Sequence, residues 1–144
     1  MKMKINLFLI TSLFFISNIT VCLSQKTKLD SELIGRWEHL YSIDTEGNKI
    51  KDDFSGKGYI HTFTKNGTYF IDPNFFRDDY KRHGINEPLD YSALPVFRWK
   101  IISESVLEIN FDIGVEQMRY GFSGDTLLTG EPNGAITYLL KKGR

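Results

Sequence analysis

From Leu33 onward, apolar and polar residues alternate with a period of two through short segments broken by Gly, Asn and Asp, and no helical period outlasts a turn or two. The pattern predicts eight strands, at 34–41, 58–64, 68–72, 96–102, 106–112, 115–123, 126–130 and 135–142. Most linkers between them are two to five residues long. Linkers that short join antiparallel neighbours, so the prediction is an all-β, eight-stranded antiparallel up-and-down meander that closes into a barrel and leaves no sheet edge exposed. Ahead of the first strand, Asp30-Ser31-Glu32 has the composition to cap a single helical turn.

One hairpin can be set in register from the residues alone. Lys65-Asn66-Gly67 forms either a two-residue Asn-Gly turn or a three-residue loop with Gly67 left-handed, and the choice flips one strand relative to the other. The first option pairs Phe63 with Phe70 and leaves both faces mixed. The second pairs Phe63 with Tyr69 and His61 with Ile71, gathering Tyr59, His61, Phe63, Tyr69 and Ile71 on one face, and is the register expected.

The remaining strands predict inner faces of Phe97, Trp99 and Ile101; Leu107, Ile109 and Phe111; Met118, Tyr120 and Phe122; and Ile136, Tyr138 and Leu140. Their alternates are largely polar, as in Arg98, Lys100, Glu108 and Asn110. Eight strands enclose a space just wide enough to be filled by side chains or to hold one small molecule. Aromatic stripes serve either use, so Tyr59, His61, Phe63, Tyr69, Ile71, Phe97, Trp99, Ile101, Leu107, Ile109, Met118, Tyr120, Phe122 and Tyr138 are at once candidate core and candidate ligand-binding lining.

Lys2 and Lys4 followed by an apolar stretch over 5–16 have the layout of a signal peptide spanning 1–24. Cys22 is the only cysteine, and Val21 before it spoils a lipoprotein site, whereas Cys22 and Ser24 fit small-x-small cleavage that leaves Gln25 first. The chain is thus expected to be exported, periplasmic or extracellular, as one domain over 25–144 with neither a disulfide nor a membrane span. Its balance of 16 basic and 18 acidic residues carries no field for a nucleic acid. The full chain of 144 residues is 41% hydrophobic and 14% aromatic, which excludes a disordered or collagen-like polymer.

Gly35-Arg36-Trp37, set after a short turn at the head of the first strand, resembles the lipocalin-like proteins of the calycin group, especially their small bacterial secreted members. The likeness extends to the Lys65-Asn66-Gly67 hairpin, the Gly124-Asp125 turn and the basic last strand. It implies that Gly35 and Trp37 are structural residues at the closed end of the barrel, the indole lying beneath Lys141, Lys142 or Arg144.

The 23-residue connection 73–95 is the largest irregularity, and it mixes Phe75, Phe76, Tyr80 and Tyr91 with many charges. It reads as a lid, a partner-binding surface or a cover for the outer wall. The loop 52–58 reads as a rim without a phosphate-binding pattern. No catalytic motif occurs, no cofactor is implied, and Asp78, Asp79 and His83 read as a solvated loop rather than as metal ligands. The expected function is binding of a small apolar or amphipathic molecule inside the barrel. The alternatives are a filled barrel that meets a protein or envelope component through 73–95, and an enzyme using His61 with cavity tyrosines.

Overall fold

The computed structural model describes residues 29–143. The expected export segment 1–24, Cys22, the cleavage site before Gln25 and Arg144 lie outside the described residues. Eight strands, β1 (Gly35–Ile43), β2 (Ile60–Phe63), β3 (Thr68–Ile71), β4 (Phe97–Ser103), β5 (Val106–Phe111), β6 (Gly114–Ser123), β7 (Thr126–Gly130) and β8 (Ile136–Lys142), follow one another around a closed antiparallel barrel. The predicted class and strand order hold. No helix among the described residues is long and apolar enough to cross a membrane.

The β2–β3 hairpin takes the amphipathic register, with Phe63 opposite Tyr69 and His61 opposite Ile71. Gly67 closes its turn at φ 79°, donating its N–H to the Thr64 carbonyl at 3.1 Å. A side chain at that φ is strained, which is why glycine ends the loop. Residues 31–33 form a turn rather than the expected helical turn, with Asp30 Oδ1 accepting from the Glu32 N–H at 2.9 Å.

Two expectations are corrected. First, 73–95 is not an unstructured loop: it opens with a helix, α1 (Pro73–Arg82), and carries a 3-10 turn at Tyr91–Ala93. The hydrophobic period missed α1 because Phe75, Phe76 and Tyr80 are its only large apolar residues, and none of its residues is buried. Its ends define it instead. Asp72 accepts from the Asn74 N–H, Pro73 needs no donor in the first turn, and Lys81 and Arg82 face the carbonyl end.

Second, β8 presents the opposite face to the one predicted. Thr137 and Leu139 are buried inside, whereas Ile136, Tyr138 and Leu140 are only half-buried and face outward. Tyr138 stacks on Tyr41 with ring centroids 4.7 Å apart, and Lys49 covers Tyr41. Both alternating sets of β8 contain apolar residues, so its own pattern could not decide. The pairing with β1 decides, by setting Leu139 against His39 and Lys141 against Trp37.

The interior at the base of the barrel is filled by side chains. Trp37 is 1% exposed, its indole N–H donates to the Leu33 carbonyl at 2.8 Å, and the Lys141 amine lies 5.1 Å from its ring. Leu33 plugs the opening below, and Phe63, Trp99, Ile101, Leu107 and Leu127 fill the space above it. Phe122 packs against the indole at 5.9 Å. At the head of β1, Gly35 adopts φ 145°, a backbone state that disfavours any side chain.

Truncating Trp37 leaves a large cavity and removes a buried hydrogen bond, so Trp37→Ala is expected to destabilise the fold by about 3–5 kcal/mol in chemical denaturation. A loss below about 1 kcal/mol would contradict its role as the closure of the base.

Candidate functional site: a cavity at the barrel mouth

Above the packed base the barrel is hollow. A cavity of about 200 Å³ opens to solvent at the end where β1 finishes and β2 begins. Its floor is apolar, made by Phe63, Ile109 and Leu139, and its walls carry Tyr69, Ile71, Phe111 and Met118. Polar groups gather on the β1, β7 and β8 side, where His39, Ser42, Thr129, Glu131 and Thr137 line it.

Not all predicted lining residues reach this cavity. His61, Phe63, Tyr69, Ile71, Ile109 and Met118 do. Phe97, Trp99, Ile101 and Leu107 are buried in the core instead, with Trp99 edge-on to Phe63 at 5.4 Å and its indole N–H unpartnered. Phe122 and Tyr120 belong to the base, where the Tyr120 hydroxyl donates to Asp30 at 2.7 Å. Burial and that carboxylate push the Tyr120 pKa up. Tyr59 lies at the rim under α1, and Tyr138 is outside.

The structure adds residues that strand patterning passed over. A β-bulge between His39 and Tyr41 lets β1 turn both His39 and Ser42 inward, which strict alternation forbids. Alternation from Trp37 does point His39 inward, and that was the legible signal. Asp52 and Phe54 come from the loop after β1, which no strand pattern describes.

Phe54 and α1 form a cap over one side of the mouth. Phe54 stacks on Phe75 at 4.6 Å and on His61 at 5.7 Å, and Tyr59 meets both phenylalanines edge-on. The Tyr59 hydroxyl donates to Asp78 at 2.7 Å, and Arg82 reaches Asp53 at 3.4 Å and Asp79 at 3.0 Å. Burial, reinforced by the Asp78 bond, pushes the Tyr59 pKa up to about 12, and that same bond holds the Asp78 carboxyl below its usual range. Asp78 and Asp79 thus serve the cap. Among the described residues, no group of three or more His, Cys, Asp or Glu side chains is placed to hold a metal ion.

The two cavity histidines are neutral at pH 7. Burial, followed by the neighbouring His39, pushes His61 down to about 4, with Asp72 opposing. Burial also lowers His39, against the pull of Asp52, the Phe54 backbone and Glu131. His61 Nδ1 and the Tyr69 hydroxyl are 2.6 Å apart, and burial raises the Tyr69 pKa, so that hydroxyl keeps its proton. His61 Nε2 and His39 Nδ1 have no hydrogen-bond partner.

Comparison with protein-family models, with curated proteins and with solved structures finds no match to this chain. Function is therefore read from the cavity's own geometry.

An imidazole held neutral in the fold takes up its proton later than in the unfolded chain. His61 therefore costs no stability above pH 6.5, and stability is lost as pH falls from 6.5 toward its folded value of about 4. The expected slope in this window approaches about 1.4 kcal/mol per pH unit for the one proton involved. His61→Gln should lower the slope in urea titrations across this range, leaving the share that His39 contributes. An unchanged slope would mean that the imidazole is solvated in the folded protein.

Proposed function

We propose that this chain is a lipocalin-like binding protein that holds one compact amphipathic molecule in the mouth of its barrel. The observation that carries the reading is the cavity of about 200 Å³ with an apolar floor, a polar wall and aromatic cover. Ordinary ligand pockets start at about 300 Å³. The volume thus favours a single aromatic ring with a short polar arm, or the head of a longer molecule, over a fully enclosed fatty acid. The lipocalin-like assignment draws on the closed eight-stranded meander and on Trp37 beneath Lys141 at its base. Export is proposed from the pattern of residues 1–24.

A second reading, contact with a protein partner through 73–95, draws support from the exposed Tyr91 (62%) within that segment and Val96 (53%) directly after it. The two readings separate in one experiment. Titration of 2-phenylethanol, followed by methyl NMR, is expected to give saturable shifts at Met118, Ile109 and Leu139. Ile109→Trp, which fills the floor, should abolish them while the barrel stays folded. Phe54→Ala should speed exchange by loosening the cap. If no compact aromatic molecule shifts these methyls at millimolar concentration, the cavity reading fails and the partner reading takes its place.

A further inference from the structure

We infer that the outer wall formed by β7, β8 and β1 is a docking surface for a second copy of this chain, the two copies related by a two-fold axis perpendicular to that wall. This surface is separate from the cavity and does not depend on the binding reading above. A barrel strand needs apolar residues only on the face turned to the core, and a strand apolar on both faces has the pattern of one covered on both. β8 has that pattern, since Thr137 and Leu139 are buried inside while Ile136, Tyr138 and Leu140 face outward. Its neighbours extend it. The two ladders set Tyr138 between Leu128 and Tyr41, and Ile136 between Gly130 and Ile43, so outward positions without charge run in two rows across three strands. Leu40, at the bulge of β1, adds a side chain that is 38% exposed.

The opposite wall shows how a solvated face of this barrel is built. There the row Lys100, Glu108, Gln117 crosses β4, β5 and β6, and Glu108 accepts from the Lys100 ammonium and from the Gln117 amide at 2.9 Å each. The β7–β8–β1 wall has no such row at its centre. Tyr138 and Tyr41 cover one another, Lys49 lies 4.6 Å over the Tyr41 ring, and among the described residues no helix packs across the wall.

Charge and size point to a second copy as the occupant. At the mouth end of the wall, the turn after β1 carries Asp44 and Glu46 against the single cation Lys49. The Asn48 and Glu46 backbone N–H groups hold the Asp44 carboxyl below its usual range, so it is ionised at neutral pH. At the base end, Arg36 stands opposite Lys142 in the β1–β8 ladder, and Glu38 offsets only one of them through its 2.6 Å contact with Lys142. A two-fold axis perpendicular to the wall reverses strand direction, so the acidic end of each copy meets the basic end of the other. The chain balances 18 basic with 18 acidic residues, so no net charge keeps two copies apart. Three strands about 4.8 Å apart and some seven residues long at about 3.3 Å each outline an apolar face of roughly 300 Å². With the charged ends added, the contact approaches about 600 Å² per partner, the low end for a specific complex and the size of a reversible dimer rather than an obligate one.

Sedimentation equilibrium of the purified full chain, run up to about 200 μM, tests this against the expected monomer–dimer equilibrium with a dissociation constant of about 10 μM. Association should weaken about 3-fold between low and physiological salt. Tyr138→Glu and Leu128→Lys, each placing a charge in the middle row, should weaken it about 10-fold or more, whereas Gln117→Lys on the polar wall should leave it unchanged. Glu46→Lys should weaken it about 3-fold, and adding Arg36→Glu should restore it. Thermal melts check that each variant folds. A chain that stays monomeric throughout overturns the inference, as does association that survives both Tyr138→Glu and Leu128→Lys, because the contact then lies elsewhere on the chain. A double variant no tighter than Glu46→Lys alone overturns the two-fold arrangement. Binding of the monomer to phosphatidylcholine vesicles, abolished by Tyr138→Glu, would give the wall to a lipid surface and overturn the second copy as its occupant.

Discussion

The ladder between β1 and β8 carries the constraint on which the rest of the molecule depends. It joins the two ends of the sheet, and its register sets Trp37 opposite Lys141 at the base and Tyr41 opposite Tyr138 near the mouth. Side chains alternate between faces with a period of two, so a slip of one residue in this ladder would turn Leu139 and Thr137 outward and Tyr138 inward. The β-bulge after His39 is part of the same solution. It advances β1 by one residue, so the strand that buries Trp37 at one end also turns Ser42 inward at the other.

That register divides the interior into two unlike halves. The base is dry and aromatic, and with no cysteine between residues 29 and 143 its packing must hold the fold without a disulfide. The mouth carries two histidines, three carboxylates and several hydroxyls, which add little to stability, and burial there pushes both imidazoles toward the neutral form against the pull of the carboxylates. Groups that cost stability and lack internal partners are the ones a bound molecule can satisfy. The division of labour is thus physical: the filled end can tolerate the cost of the polar end.

The cap joins these halves to solvent. No residue of α1 is buried, and it is held over the mouth by the Phe54–Phe75 stack, the Tyr59–Asp78 hydrogen bond and the Arg82–Asp53 pair. An element tied down by a few partly exposed contacts opens at much lower free energy than the barrel itself. Such a cap can admit a molecule without disturbing the strands.

The sequence by itself determined the strand count, the antiparallel order and the β2–β3 register, because short alternating segments and a glycine turn are local signals that demand one amphipathic solution. It also marked His61, Phe63, Tyr69, Ile71, Ile109, Phe111 and Met118 as inward residues, and these meet at the mouth. Only the tertiary structure decided the face of β8, since Tyr138 and Leu139 are both apolar enough to be buried and the choice fell to pairing with a strand about a hundred residues away. The same holds for the polar wall. His39, Asp52 and Glu131 are far apart in the chain and carry no shared motif, and they become neighbours because barrel closure brings the end of β1 beside β8 while the loop after it folds back over the mouth. Periodicity reports which side of a strand a residue occupies, but which residues share a cavity depends on how the strands close.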